Sequence, residues 1–565
     1  MEVVLLASLL GWAGCSTEVV SVVRAGSGWR VLPGLQSGWA ARANLTDLVS
    51  TTGWLQLEVT GAGAGAQDRD MAWAAGMAEG FLARDLILSY YREFIHRPIC
   101  GPHPAFCQYI RQVFRDNNAW LETMLRENVD DPYWRHVSLF YSQLAGLREG
   151  WLARTQQDGL SVPQDFDSEW FAFFINFYPD LSDYIENYKA EVKGKDLTAG
   201  RLAAPAPSCS ALLRLLPGGQ VLAGHATWHV YTALPYRLLK RYQLPYRGES
   251  GATVPGHTVT FSSYPATLFS MDDFYLLSSS LVVMETTLFL YNKSLLLANQ
   301  PVGSVWVGVR AMVANRLATS PAQWGELFSR QNSGTYNNQW MVAGKGGRLE
   351  VLEQLPGGVE SRDMSRHLAS TRYWASYNRA AFTATAARTG QDRMAAQYGT
   401  WFSHADTPRA RLLAAGQSAV QSKADLLALL RSNSYPGRET WPPGCSGPVP
   451  AAAIAARSDL QPTTVNCSWQ KHDGMVGRRA YGALDAKVVS VSSAMEVVAV
   501  LGPATGTGLP PFSWAAGEFP KPDYTPVSTY QFPALKPAWA DLTNSQQCRL
   551  ASILPVLLGI RHILL

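Results

Sequence analysis

Residues 208–228 read SCSALLRLLPGGQVLAGHATW. Two apolar runs, SALLRLL and QVLAGHATW, flank Pro217-Gly218-Gly219, which is turn chemistry between strands. The stretch therefore predicts an antiparallel hairpin. Centring its turn near 218 makes facing positions sum to roughly 436, so Cys209 lies opposite 226 or 227. Cys209 then stands at the open end, with His225 and Trp228 near it across the ladder. A one-residue slip decides whether Cys209 and His225 share a face, and the sequence leaves that register open.

What precedes the hairpin sharpens the question. The segment KGKDLTAGRLAAPAPS resembles no regular element. A cysteine that begins a strand after a cuttable linker points to a specific chemistry. Breaking the Ser208–Cys209 bond would make Cys209 an N-terminal residue. Its own α-amine, with an ordinary pKa of about 7.7–8.0, would then serve as general base for its thiol. The same thiol can open the chain by an N→S acyl shift on the preceding carbonyl. A buried structural cysteine is the commoner fate on statistics alone.

The chain is long, 565 residues, with 47% hydrophobic and 16% charged residues, a globular composition. A net charge of +4 without a long basic run gives no reason to expect nucleic acid. Residues 51–60, TTGWLQLEVT, read as a strand, and helical patterning follows through about 190. The intervening Gly61-x-Gly63-x-x-Ala66 is only a loose dinucleotide match, since no second strand follows at βαβ distance. After 208 the character turns β-rich, with HTVTFSSY and SSSLVVMETTLFLYN as further strands. The expected organisation is a signal peptide at 1–15, a mostly helical part at 16–189, and a linker cut or removed on maturation at 190–208. A β-rich catalytic part at 209–535 and an atypical tail at 536–565 follow.

The first fifteen residues have signal-peptide length and end in small residues, although Glu2 stands where a basic residue is usual. A secretory route makes a disulfide between Cys100 and Cys107, around CGPHPAFC, the favoured reading. The pairing of Cys445, Cys467 and Cys548 does not follow from spacing. Three sequons, at Asn44, Asn292 and Asn466, fit a glycosylated lumenal protein. No Gly-x-Ser-x-Gly elbow, His-Glu-x-x-His or Walker loop is present. The His225/His229 pair straddles a strand end, a poor metal arrangement, so neither metal nor organic cofactor is expected.

Longer stretches carry a resemblance. CSALLRLLPG, FSSYPATLFSMDDFYLLSSSLVVMETT, ANRLATS, NSGTYNNQWMV, LEQLPGGV, YWASYN, AAIAARSDL and GALDAKV resemble the phospholipase B-like family, nearest to its lysosomal type 2 members. The likeness runs from about residue 50 to about 515. It implies an α+β, four-layer αββα N-terminal nucleophile hydrolase sandwich, and an autocatalytic cut at Ser208–Cys209 whose two fragments stay associated. Carried over motif by motif, it makes Cys209 the nucleophile, with His225, Asn378 and Thr287 catalytic. Trp228, Asn337 and Asn338 become pocket residues, the asparagine amides being suitable oxyanion donors. His225 would orient the amine or protonate the leaving group, and Thr287 would bond the amine.

The implied function is deacylation of glycerophospholipids in the lysosomal lumen, with secretion as the alternative destination. Membrane contact would come only through substrate, and a homodimer is left open. An amidase acting on N-acyl small molecules competes, because the same thiolate attacks both bonds. An uncleaved lipid- or glycan-binding protein is the non-enzymatic alternative. The chain departs from relatives at Arg379–Phe382, in the linker, and beyond about 515, where the final core strand is expected to be missing or replaced.

Overall fold

A computed structural model describes residues 16–63, 67–192, 208–248, 251–472, 476–492, 494–506 and 508–543. The expected signal peptide, most of the linker, Ala66, Cys548 and the tail beyond 543 lie outside the described residues.

The part expected to be mostly helical begins instead with four strands: β1 (Ser16–Ala25), β2 (Gly28–Pro33), β3 (Trp39–Leu48) and β4 (Trp54–Gly61). Only β4 had a clear sequence signature. β2 is half-exposed along its length, so it lacks the apolar alternation that marks a strand. Helices then run from Asp68 to Val192.

Two of these helices, Asp68–Leu82 and Pro132–Gln157, pack closely because each carries paired glycines. A Cβ on Gly76 would stand 1.9 Å from the Gln143 carbonyl oxygen, and one on Gly146 would stand 2.0 Å from that of Trp73. Real Cβ atoms never approach so near, so the interface requires glycine. The first helix of the pair packs on β1, β3 and β4, and the second lies against it.

The predicted hairpin forms as β5 (Ser208–Leu215) and β6 (Val221–Val230). Between them Gly218 and Gly219 take φ of +83° and +84°, the left-handed region that favours glycine. Next come β7 (Leu238–Gln243), β8 (Thr258–Ser263), β9 (Phe274–Leu277) and β10 (Val282–Thr287). β11 (Asn338–Ala343), β12 (Leu349–Leu355), β13 (Gly358–Asp363) and β14 (Tyr373–Ser376) follow. β15 (Tyr481–Ser490) and β16 (Val497–Leu501) come next, and two-residue strands β17 (Phe512–Ser513) and β18 (Thr529–Tyr530) pair apart from them.

Strands β1 to β16 make two large sheets. One has eleven strands in the order β13-β12-β11-β10-β9-β8-β7-β4-β3-β1-β2; the other has five, β14-β5-β6-β15-β16. β4 joins β7 in parallel, while every other described pair in both sheets is antiparallel. That parallel ladder splices the N-terminal strands into the sheet built by the C-terminal part.

The period of two along β5 separates the layers. Ala211, Leu213 and Leu215 enter the main core, facing the eleven-stranded sheet through β10. Leu212 and Leu216 point the other way, into a cluster with Leu413, Leu426 and Leu430 of the covering helices Pro408–Gly416 and Lys423–Leu430. Helices, sheet, sheet, helices is the expected αββα sandwich. Among the described residues beyond 515 the one strand is the two-residue Thr529–Tyr530. Leu535 bridges Ala499 beside β16, and Arg42 donates to the Leu542 carbonyl at 2.7 Å.

Candidate active site

The hairpin register is Cys209↔Thr227 and Ala211↔His225, so facing positions sum to 436 as expected. Cys209, Thr227 and His225 therefore share the face turned toward the other sheet. Ser210 takes the opposite face and donates from Oγ to the Ile454 carbonyl at 3.0 Å.

Cys209 is the one unpaired cysteine among the described residues. It is 4% exposed and lines a cavity of about 640 Å³. Trp228, Leu288, Phe289, Leu290 and Met394 form much of its apolar wall; Thr287, Asp272, Asn337 and Asp183 contribute polar groups. Burial pushes the Cys209 thiol well above its usual range, and the Glu285 charge pushes the same way.

Asn378 comes from the turn after β14, at φ +67°, a left-handed conformation that asparagine tolerates. Its Oδ1 accepts the Cys209 backbone N–H at 3.2 Å, and its Nδ2 donates to the Thr287 carbonyl at 2.8 Å. Arg409 Nη1 donates to the same Oδ1 at 2.9 Å and to the Cys209 carbonyl at 2.8 Å. Its guanidinium also lies 4.4 Å over the Trp228 ring. Asn378 thus fixes the backbone nitrogen of Cys209 and ties it to the end of β10.

Thr287 lines the cavity, and its carbonyl accepts from Asn378. Its neighbour Thr286 faces Ser376, with the two hydroxyls 2.6 Å apart. Of the two adjacent asparagines only Asn337 reaches the cavity. It donates to the Gly334 carbonyl at 2.8 Å and leaves Oδ1 unpaired. Asn338 sits on β11 opposite Thr287, fully buried, with neither amide atom paired.

His225 is fully buried and is not among the cavity-lining residues. Nε2 donates to the Glu285 carbonyl at 2.9 Å. Burial, with the Lys487 charge adding to it, lowers its pKa to about 3. It is therefore a neutral imidazole, and the Cys209 nitrogen bonds Asn378 rather than this ring.

The sequence missed a buried charge network behind Cys209. Asp272 accepts from Thr227 Oγ1 at 2.8 Å, Ser262 Oγ at 2.7 Å, Arg237 Nη2 at 2.8 Å and Lys487 Nζ at 3.0 Å. Asp485 completes it, bonded to Arg237 at 2.6 Å and to Lys487 at 2.7 Å. Burial opposes charge on Asp272, but Arg237 and Lys487 outweigh it and hold the carboxyl well below its usual range. A signal was available: Lys487 in GALDAKV and Glu285 in VVMETT are charged residues inside apolar strands, which persist only when paired or neutralised. Arg409, in TPRARL, carries no such mark.

Cys100 and Cys107 form the expected disulfide, and Cys445 pairs with Cys467. Asn466, beside the second bridge, is exposed and Asn292 half-buried. Asn44 contradicts its expectation: it is 8% exposed within β3, opposite Glu58 in the middle of the sheet, so a glycan would have no room.

The sequence profile of the family described as Phospholipase B matches residues 41–537. The mouse protein named "Putative phospholipase B-like 2" is 35% identical over 514 residues, 87% of this chain and 83% of that protein. Its human namesake is 36% identical, over 85% of this chain and 82% of that one. A penicillin V acylase structure from Agrobacterium tumefaciens aligns over 52% of this chain and 82% of its own, at 9% identity and a TM-score of 0.30.

Proposed function

The chain belongs to the phospholipase B family, and from that premise we propose that it is an acyl hydrolase acting through Cys209. Scission of the Ser208–Cys209 bond releases Cys209 as an N-terminal residue. The observation that carries this reading is the hold on its nitrogen: the atom that becomes the α-amine already bonds Asn378 while the side chain lines the cavity.

The amine takes the thiol proton, and the thiolate attacks the acyl carbonyl carbon. The tetrahedral oxyanion collapses to a thioester as the ammonium protonates the departing group, and water then releases the acid. Asn337 is the better oxyanion donor of the two adjacent asparagines, because only it lines the cavity. Arg409 supports the use of such an amine in acid. A fixed cation beside it, on the shared Oδ1, disfavours the ammonium form and lowers its pKa.

Glycerophospholipids are the proposed substrate class, and the apolar wall of Leu288, Phe289 and Leu290 suits an acyl chain. After scission, the β4–β7 ladder would keep the two fragments together. An acidic lumenal destination belongs to the same proposal, and two disulfides support the secretory route.

The test is a denaturing gel with N-terminal sequencing of the larger fragment, then hydrolysis assays on phospholipids and N-acyl amides. Two fragments, one starting at Cys209, with ester turnover lost in Cys209→Ser, support the proposal. Turnover of amides alone replaces the phospholipase reading with the amidase one. A single band that binds lipid without turnover rejects both.

A further inference from the structure

We propose that Cys209, His225 and Glu285 form a binding site for a divalent cation of the zinc class, and, resting on the acyl-hydrolase reading above, that its occupation silences Cys209 as nucleophile. The three residues come from β5, β6 and the facing β10, so only the closure of the two sheets assembles them. One ligand atom from each lies within 4.8 Å of the other two, and all three side chains are buried. A tetrahedral zinc with sulfur at about 2.3 Å and nitrogen or oxygen at about 2.0–2.1 Å needs its ligands about 3.3–3.7 Å apart. Small side-chain rotations close that difference.

Hydrogen counting shows that the histidine is set for this task. Nε2 faces the Glu285 carbonyl, which can only accept, so the ring proton is on Nε2. The nearest polar neighbour of Nδ1 is Thr227 Oγ1, 3.4 Å away. That hydroxyl gives its single proton to Asp272 at 2.8 Å and has none left for the ring. Nδ1 therefore keeps a free lone pair on an imidazole oriented by a backbone carbonyl, the outer-shell arrangement typical of zinc-binding histidines. Glu285 is 0% exposed, and its Oε2 has no partner.

A thiolate and a carboxylate together neutralise a dication, and their two protons leave to solvent as it enters. Cys209 lines the cavity, which supplies a path for the ion and water for a fourth position. The cation would occupy the sulfur lone pair that attack on an acyl group requires.

Cadmium titration of the metal-stripped full chain tests this, read by thiolate-to-cadmium charge-transfer absorption, which needs no substrate and no turnover. The difference between wild type and Cys209→Ser isolates this sulfur from every other. The expected result is one equivalent bound in that difference, displaced by Zn2+, with affinity at least tenfold weaker in Glu285→Gln and in His225→Gln. X-ray absorption of the zinc-loaded wild type, which avoids variants that fail to fold, should give one sulfur at about 2.3 Å with nitrogen and oxygen at about 2.0–2.1 Å. The proposal is overturned by an absent wild-type difference band, by unchanged affinity in both folded variants, or by a shell lacking either sulfur or nitrogen/oxygen.

Discussion

The backbone N–H of Cys209 donates to Oδ1 of Asn378 at 3.2 Å, across a sequence separation of 169 residues. Arg409 donates to the same oxygen at 2.9 Å. The nitrogen of Cys209, the proposed nucleophile, and the Arg409 cation are thus fixed around one amide oxygen.

Removing the cation should move the acid limb of hydrolysis. Arg409→Leu leaves the amine without its charged neighbour, so its pKa rises and activity near pH 5 falls by about tenfold or more. Near pH 8 the loss should be smaller, and Arg409→Lys should restore part of the acid activity. A pH profile displaced equally at all pH values would show that Arg409 only packs against Trp228.

His225 should stay neutral in acid. Its pKa, lowered by burial to about 3, lies below the ordinary 6.5. The stability it contributes is therefore fully present above pH 6.5 and is lost as pH falls through about 3. Carbon-13 labelling of the imidazoles should show no titration of this ring between pH 7 and 4. A midpoint near 6.5 would refute the assignment.

Asp180 should stabilise the fold at low pH. It is fully buried, accepts from Thr335, leaves Oδ2 unpaired, and burial raises its pKa from 3.8 to about 7. Folded above unfolded means that its contribution is complete below pH 3.8 and is lost as pH rises through about 7. Asp180→Asn should therefore gain stability relative to wild type as pH rises from 4 to 7, by up to about 4 kcal/mol. Denaturant midpoints at pH 4, 5.5 and 7 measure this; a pH-independent difference contradicts it.

The helix pair should reject even a methyl group. In Gly76→Ala the new Cβ meets the Gln143 carbonyl oxygen, a backbone atom that cannot rotate away. A loss on the order of 3 kcal/mol is expected. Gly159→Ala makes a useful contrast: nothing lies within 4 Å there, so its cost comes from the φ of +66° alone. Equal melting of the Gly76 variant and wild type would show that the helices separate easily.

Local chemistry determined the hairpin. Two apolar runs and a Pro-Gly-Gly turn fix strand, loop and the pairing sum to within one residue over 21 consecutive residues, because turn geometry and a period of two act over short range; the structure settles the last residue of register. Family motifs marked Cys209, Asn378 and the pocket without saying what each atom holds. Tertiary structure alone decided that Asn378 grips a nitrogen, that His225 loses its charge, and that Arg237, Asp272, Asp485 and Lys487 meet. Those outcomes depend on desolvation and on hydrogen bonds between the facing sheets, and both arise only where distant strands are brought into contact.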